Sequence, residues 1–144
     1  TWNRTIDVNA TGTMLAIKQA LPQMIEQANG SIITLSSPTA LTGRGWRYPA
    51  YSASKGAVMA LTRAVALAHA RQGIRANCVV PGPIQTEMTD DIFDQHGEEI
   101  LARIPIGRFG QPTDLQGVMV FLASKASAYI TGSIITVDGG LLAD

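Results

Sequence analysis

Apolar residues recur at helical spacing over the first part of the chain. From Trp2 to Ala28 they fall close to one helix face, at Ile6, Ala10, Met14, Ile17 and Leu21. The Asn29-Gly30 pair that follows is a typical helix stop. Pro22 removes one backbone donor inside this segment, so the sequence predicts a long helix with a kink or break near Gln19.

Short apolar runs further along the chain have the composition of buried β-strands. They are rich in β-branched residues, continuously apolar, and cover Ser31–Leu35, Ile74–Val80 and Ile134–Val137. Strands that are apolar on both faces are typical of a parallel sheet with helices packed on each side. The runs therefore predict such a sheet.

Helical segments separate these runs. Tyr51–Gln72 is apolar or small on almost every face and ends at Gly73, a residue suited to a helix C-terminus. Pro112–Leu122 predicts a further helix before the last strand. The alternation of strands and helices predicts βαβ connections, and with them an α/β fold with a doubly wound, Rossmann-like parallel sheet.

A more polar stretch leads from Pro81-Gly82-Pro83 to Phe109 and contains the acidic run TDDIFDQHGEE. Its length and polarity predict a mobile helical lid. The pairs Asp90-Asp91 and Glu98-Glu99 are better explained as a solvated face of that lid than as an acid/base pair.

The composition narrows the class of function. The chain has 144 residues, of which 46% are hydrophobic and 15% charged, which is enough for one packed domain and too polar for a membrane protein. Because 11 basic residues balance 11 acidic ones, we expect a small-molecule substrate rather than nucleic acid or a membrane. Cys78 is the single cysteine and lies in an apolar run, which favours a cytoplasmic protein with a buried, inert thiol.

Candidate chemistry begins with Tyr51 and Lys55, which are spaced i, i+4 at the start of a predicted helix and therefore share one face. A phenol that exchanges protons near neutral pH needs its ionised form to be stabilised, and the positive charge of an ammonium roughly 5 Å away provides that stabilisation. Ser36-Ser37 and Pro81-Gly82 each follow a predicted strand, so we expect both at the carboxyl edge of the sheet, where ligands bind. There the Ser37 hydroxyl could polarise a carbonyl oxygen, although a turn or cap role fits it equally well.

Other kinds of site receive less support. His69 and His96 lie far apart, without a second cysteine or an HxxxH spacing, so we expect no metal site and take both as surface residues. A serine hydrolase would need a nucleophile elbow such as G-x-S-x-G, which the sequence lacks. Trp46, Arg47 and Tyr48 either line a substrate pocket or form a solvated loop with an aromatic anchor.

A series of short motifs runs along the whole chain. They are DVNATG with Asn9, IITLSS with Ser37, YSASK from Tyr51, PGPIQT from Pro81, and FLAS, YITG and VDGG near the end. In their order and spacing the chain resembles the short-chain dehydrogenase/reductase family. The resemblance implies reversible hydride transfer between a nicotinamide cofactor, NAD or NADP, and an alcohol/carbonyl substrate.

The resemblance also implies individual roles. Asn9, Ser37, Tyr51 and Lys55 match the catalytic tetrad of the family. Tyr51 would exchange the proton, Ser37 would hold the substrate oxygen, and Lys55 would favour the ionised phenol and bind the nicotinamide ribose. Asn9 would support a water-linked proton path to Lys55, whereas by itself it fits a polar residue inside a helix or at its cap.

Within PGPIQT, the family pattern implies cofactor contacts from Pro81, Gly82, Ile84 and Thr86, in addition to Tyr51 and Lys55. The Ile84 backbone and the Thr86 hydroxyl would hold the carboxamide of the nicotinamide. The glycine allows a close backbone approach. Without the resemblance, a simple Pro-Gly turn would explain the segment.

The sequence departs from the family pattern in what it lacks. It contains neither the Gly-rich phosphate loop nor the residue that selects NAD or NADP. We therefore expect residues 1–144 to be the C-terminal part of a single domain, with on the order of 100 residues missing upstream, and to bind no dinucleotide alone. A non-catalytic fragment, or an assembly or regulatory subunit of the same fold, is the alternative. The spacing from Ser37 to Tyr51 also exceeds the usual one by a residue, which leaves the substrate open.

Two helical faces resemble the contact between subunits in this family. They lie near Met14–Ile25 and Val58–Ala70, and they imply a homodimer or homotetramer. Small residues on the second helix would allow a close approach of helices, namely Ala57, Ala60, Ala64 and Ala68.

Overall fold

Helices alternate with parallel strands along the chain. The computed structural model describes residues 1–43 and 48–143. The helices are α1 (Trp2–Ile6), α2 (Gly12–Glu26), α3 (Pro49–His69), α4 (Asp90–Leu101) and α5 (Pro112–Ala123), and the strands are β1 (Gly30–Leu35), β2 (Ile74–Pro81) and β3 (Ile134–Val137). A π-helical segment joins α1 to α2 at Asp7–Thr11, and short 3₁₀ turns cover Pro38–Ala40, Ala70–Gln72 and Lys125–Ser127.

The described strands form one parallel sheet in the order β1-β2-β3. Leu35 at the end of β1 lies beside Val79, and Pro81 at the end of β2 lies beside Val137. The predicted strands are confirmed to within a residue or two at each end. Because all the strands run the same way, their carboxyl ends lie at one edge of the sheet.

Helices cover both faces of the sheet. One face packs against α2 and α3 through a buried cluster of Ile17, Ile32, Val65, Ala66, Ile74 and Ala76. On the opposite face the Ser31 hydroxyl donates to the Leu122 carbonyl of α5 at 2.7 Å, and the Leu122 side chain is fully buried. This layering confirms the predicted doubly wound α/β fold.

The first helical region differs from its prediction. The predicted break near Gln19 is wrong, because α2 continues through Pro22 and ends at Glu26. A proline costs a helix one hydrogen bond, and here the packing of Ile17 and Leu21 against the core compensates for that loss. The irregularity lies earlier, in the π-helical segment.

Every helix that the structure describes is too short or too polar to span a lipid bilayer.

Gly73 ends the α3 region as predicted, after the 3₁₀ turn at Ala70–Gln72. Its φ angle of 77° lies in the left-handed region that favours glycine. A Cβ at this position would also clash with the Ala28 carbonyl oxygen, at the point where α2 leads into β1. Glycine is therefore needed both for the backbone conformation of the turn and for its close contact with the segment that joins α2 to β1.

A buried amide fixes the approach to β3. The fully buried Asn77 side chain donates to the Ile130 carbonyl at 2.9 Å and accepts from the Ser133 backbone N–H at 3.0 Å. The Ala76 N–H donates to the Thr131 hydroxyl at 3.1 Å. These bonds join the YITG segment to β2, so β3 enters the sheet beside Cys78. Burial also raises the pKa of the Cys78 thiol, which keeps it protonated as expected of an inert core residue.

The polar stretch after β2 does contain a helix, α4, whose acidic residues are largely exposed. Phe93 on α4 stacks on Phe109, with the ring centroids 4.1 Å apart. The contact attaches the helix to the chain that leads into α5. That the segment moves as a lid stays a prediction.

The N-terminus of α5 is fixed by Asp114. This carboxylate accepts the Gln111 backbone N–H at 2.7 Å and pairs with Arg108 at 2.7 Å. The hydrogen bond from Arg108 and that from the backbone lower the pKa of Asp114 to about 2. Gln111 also donates to the Gln85 side chain at 3.1 Å, which connects α5 to the loop after β2.

Arg75 on β2 ties the sheet to the end of α5. Its guanidinium donates to the Ser127 hydroxyl and to the Leu122 and Ser124 carbonyls at 2.9, 3.0 and 3.2 Å. We predict that Arg75→Met lowers the free energy of unfolding of the complete protein by about 2 kcal/mol, because the carbonyls of the buried Leu122 and the half-buried Ser124 lose a charged donor. Arg71→Met, at an exposed position just after α3, should change it by less than about 0.5 kcal/mol. Urea denaturation measures both free energies, and equal effects of the two substitutions would show that the hydrogen bonds of Arg75 do not stabilise the fold.

Candidate active site

A cleft lies at the carboxyl edge of the sheet, where β1 and β2 end. Its volume is about 670 Å³, within the roughly 300–1,000 Å³ typical of small-molecule sites. It is lined by Leu35, Ser36, Ser37, Pro38, Thr39, Thr42, Tyr51, Lys55, Pro81, Gly82, Pro83, Ile84, Thr86, Thr89, Ile100, Arg103, Pro112, Leu115, Leu141 and Leu142. Most of the residues that the sequence singled out therefore meet in one cavity.

Tyr51 and Lys55 project into this cleft from the start of α3. Pro49 is the first residue of the helix, so Tyr51 is the third and Lys55 lies one turn later. The Lys55 ammonium lies 5.7 Å from the centre of the Tyr51 ring, close to the separation expected from the i, i+4 spacing. Tyr51 is 38% exposed, which leaves its hydroxyl open to a ligand in the cleft.

Lys55 is half-buried and held by the end of β1. Its ammonium donates to the Leu35 carbonyl at 3.1 Å. The Ser36 hydroxyl donates to the Lys55 carbonyl at 2.8 Å, so both ends of the residue are fixed. Burial lowers the pKa of Lys55 below its ordinary value, because water that would stabilise the ammonium is excluded.

Ser37 has the two features that the sequence left open. Its hydroxyl accepts the Thr39 N–H at 3.3 Å and the Thr39 hydroxyl at 3.1 Å, so it caps the 3₁₀ turn that follows β1. Ser37 also lines the cleft with Tyr51. A capping serine keeps its own proton available, and it can donate that proton to an oxygen in the cleft.

Asn9 lies outside the cleft lining, in the π-helical segment. Its side-chain amide donates to the Ser54 hydroxyl at 3.0 Å, and its carbonyl accepts the Thr13 hydroxyl at 2.7 Å. Ser54 in turn donates to the Tyr51 carbonyl at 2.7 Å. The structure thus brings Asn9 to the turn that carries Tyr51, through a residue that sequence reasoning missed.

The segment after β2 lines the other side of the cleft, with Pro81, Gly82, Ile84 and Thr86. Sequence reasoning missed the role of Thr89 here. The Thr89 hydroxyl accepts the Thr86 backbone N–H and lies 2.9 Å from the Ile84 carbonyl oxygen. It therefore fixes the shape of this loop, which lines the cleft together with Lys55.

The C-terminal end contributes apolar lining. The two carboxylate oxygens of Asp138 each accept a backbone N–H at 3.0 Å, from Gly140 and from Leu142. This turn directs Leu141 and Leu142 to the cleft. Arg47 and Trp46, which the sequence suggested for a substrate pocket, lie outside the described residues, and Tyr48 is exposed just before α3.

The chemistry of the lining fits the nicotinamide half of a dinucleotide. Its polar groups include hydroxyls, backbone amides, the amine of Lys55 and the guanidinium of Arg103, and the hydroxyls, amides and amine suit the ribose hydroxyls and the carboxamide. Prolines and aliphatic side chains supply the flat apolar surface that an aromatic ring needs.

Comparisons with known proteins agree with this geometry. The family model described as enoyl-(acyl carrier protein) reductase matches residues 1–142. The chain is 41% identical to the 3-oxoacyl-(acyl-carrier-protein) reductase of Thermotoga maritima, over 98% of this chain and 57% of that protein. It is 42% identical to a protein of Xanthobacter autotrophicus named inactive 2-(S)-hydroxypropyl-CoM dehydrogenase 2, over 99% of this chain and 64% of that protein.

A solved structure extends the comparison to three dimensions. The gluconate 5-dehydrogenase of Burkholderia cenocepacia, in complex with NADP and tartrate, is 34% identical and superposes with a TM-score of 0.95 over 99% of this chain and 56% of that one. The chain thus spans little more than half the length of such relatives. In sequence, motif order and fold, it belongs to the short-chain dehydrogenase/reductase family.

Proposed function

We propose that the protein to which this chain belongs transfers a hydride between NAD or NADP and an alcohol/carbonyl substrate. The observation that carries the proposal is the meeting of Ser37, Tyr51 and Lys55 in one cleft at the carboxyl edge of a parallel sheet. Relatives that are named reductases and dehydrogenases, one of them solved with NADP, support it.

We further propose a cytoplasmic location, which a reduced, buried Cys78 supports.

In the direction of reduction, the substrate oxygen lies between the Ser37 and Tyr51 hydroxyls. Ser37 donates a hydrogen bond that polarises the carbonyl, and Tyr51 transfers its proton to the oxygen as the alcohol forms. In the direction of oxidation, Tyr51 accepts that proton. Nicotinamide, when bound, supplies or accepts the hydride at the adjacent carbon.

Lys55 serves both the phenol and the cofactor in this proposal. Its positive charge, 5.7 Å from the Tyr51 ring centre, stabilises the phenolate that remains after proton transfer. Partial burial strengthens that interaction, because less water screens it. The same ammonium would hold the ribose hydroxyls, while the Ile84 backbone and the Thr86 hydroxyl would hold the carboxamide, with Pro81 and Gly82 also in contact with the cofactor.

One observation favours a second candidate, a non-catalytic protein that keeps the fold for assembly or regulation. The Xanthobacter relative is named inactive although it is 42% identical over nearly the whole chain. Dinucleotide binding without turnover of any alcohol or carbonyl in the complete protein would favour this candidate. Turnover that depends on Tyr51 would exclude it.

We also propose that the complete protein is a homodimer or homotetramer. An exposed apolar face on α3 supports this, because Ala57, Ala60, Ala64 and Leu67 recur at helical spacing and are all exposed. Leu67 is 86% exposed, and α2 also exposes Met14, Leu15 and Ile25.

Tyr51→Phe tests the proton-transfer role. We expect kcat of the complete protein to fall by roughly 10²–10⁴-fold, because the ring is kept and the acidic proton is lost. The dissociation constant for the dinucleotide should stay within about twofold of the wild-type value. Steady-state kinetics and calorimetric titration measure the two quantities. A variant with near-normal kcat would remove Tyr51 from the mechanism.

Lys55→Ala should affect both quantities, because one ammonium serves the phenol and the ribose. We expect kcat to fall by at least roughly tenfold and the dinucleotide to bind at least roughly tenfold more weakly, each corresponding to a lost charged hydrogen bond. The same kinetics and titration apply. A change in kcat alone would disprove the ribose contact and leave the electrostatic role.

Leu67→Glu tests the assembly. A carboxylate on the exposed face of α3 should shift the complete protein towards monomers in sedimentation at micromolar concentration, since a buried unpaired charge is costly. Gln95→Glu, which adds a carboxylate at an exposed position on α4, is the control and should leave the sedimentation coefficient unchanged. A wild-type protein that sediments as a monomer would refute the proposed assembly.

A further inference from the structure

We propose that Ser54 is a positioning residue for Tyr51, and that Asn9 acts on the site through Ser54. The inference rests on the proposed function and names the residues that orient its proton donor. Ser54 is fully buried and precedes Lys55 in the chain, yet it does not line the cleft. Its contribution therefore passes through the residues that it contacts.

The Ser54 hydroxyl acts both as a donor and as an acceptor. It donates to the Tyr51 carbonyl at 2.7 Å and accepts the Asn9 side-chain amide at 3.0 Å. A buried hydroxyl that lost either partner would carry a substantial desolvation cost. The pair of bonds consequently holds the hydroxyl in one orientation and ties Tyr51 to the π-helical segment.

The turn that carries Tyr51 needs such support. Tyr51 lies in the first turn of α3, which fewer hydrogen bonds within the helix hold than the turns that follow. Among the described residues, Tyr48 at the N-cap makes no side-chain hydrogen bond to that turn. The Asn9–Ser54 bond attaches this turn to a helix elsewhere in the chain, 45 residues away in sequence.

Lys55 is attached to a different element. The end of β1 holds it through the Leu35 carbonyl and the Ser36 hydroxyl. The separation of the Lys55 ammonium from the Tyr51 ring thus depends on two anchors, β1 for the lysine and Asn9–Ser54 for the tyrosine. Removal of the second anchor would move the phenol relative to both the ammonium and the substrate oxygen.

The π-helical geometry of Asp7–Thr11 is consistent with this role. A π-helical turn contains an extra residue and often occurs at functional sites. Here the Asn9 carbonyl accepts the Thr13 hydroxyl at 2.7 Å, which holds the widened turn, and the Asn9 amide is directed at α3.

Ser54→Ala in the complete protein is the direct test. We expect kcat to fall by about five- to tenfold, as one positioning hydrogen bond is lost. The KM and dissociation constant of the dinucleotide should stay within about twofold, since Lys55 keeps its own anchors. Ser54→Thr, which retains a hydroxyl, should restore most of kcat.

Thr62→Val is the matched control. Thr62 is also a fully buried hydroxyl residue of α3 and donates to the Val58 carbonyl at 2.7 Å, but it lies away from the cleft. It should lower the midpoint of thermal unfolding without changing kcat. An equal loss of kcat in Thr62→Val would reduce Ser54 to a general structural role and overturn the proposal.

The link to Asn9 is tested by a double-mutant cycle. If Asn9 acts through Ser54, Asn9→Ala should lower kcat by a similar factor, and the double variant Asn9→Ala/Ser54→Ala should be no slower than Ser54→Ala. Effects that multiply would refute the link. Because Asn9 is only half-buried, Asn9→Ala remains informative if Ser54→Ala does not fold, and unchanged kcat in it would overturn the proposal.

The outcomes separate this inference from the proposed function. Loss of turnover in Tyr51→Phe together with normal turnover in Ser54→Ala would overturn the positioning role alone. Normal turnover in Tyr51→Phe would overturn the function on which it rests.

Discussion

Parallel pairing on both sides of β2 is the constraint on which the rest of the structure depends. Its register sets Leu35 beside Val79 and Pro81 beside Val137, so the chain leaves each strand at the same edge. The segments that continue beyond those strand ends form much of the cleft. The approach is close enough that a Cβ on Gly82 would lie 2.6 Å from the Asp138 Cα, so a glycine is needed where the chain leaves β2.

Within the cleft, a cation is held where water is scarce. Lys55 loses hydration on burial, which lowers its pKa, and within residues 1–43 and 48–143 its ammonium makes a hydrogen bond to the Leu35 carbonyl. Its remaining N–H groups and its charge are thus available to groups that enter the cleft. An ammonium in such surroundings acts more strongly on a neighbouring phenol than it would in water. A polar or negatively charged group bound beside Lys55 would offset the free-energy cost of desolvating its ammonium.

Hydroxyl groups in the lining of the cleft and just behind it share a common role. Ser36 donates to the Lys55 carbonyl, Ser54 donates to the Tyr51 carbonyl, and Thr89 lies at hydrogen-bond distance from the Ile84 carbonyl. Each fixes the backbone of a residue that lines the cleft. The side chains that face a ligand are thereby supported by polar contacts in addition to apolar packing, which limits their freedom before anything binds.

The sequence by itself determined the strands and, to within a few residues, the bounds of α3 and α5, and it singled out Tyr51 and Lys55 as neighbours. Burial on both faces forces β-branched apolar runs such as Ile74–Val80, and the helical period alone puts Tyr51 and Lys55 on one face. Both patterns depend only on residues close together in sequence, so they can be recognised without knowledge of the rest of the chain. The motifs also predicted that Ser37 and the PGPIQT segment belong to one site, and in the structure Ser37, Pro81, Gly82, Ile84 and Thr86 line the same cleft.

Only the tertiary structure decided the rest. The passage of α2 through Pro22 depends on packing against the core, and the partners of Ser36 and Ser54 lie 19 and 45 residues away along the chain. A serine looks the same in sequence whether its hydroxyl faces solvent, caps a turn or holds a distant carbonyl. Such roles follow from which elements pack together, and local periodicity does not contain that information.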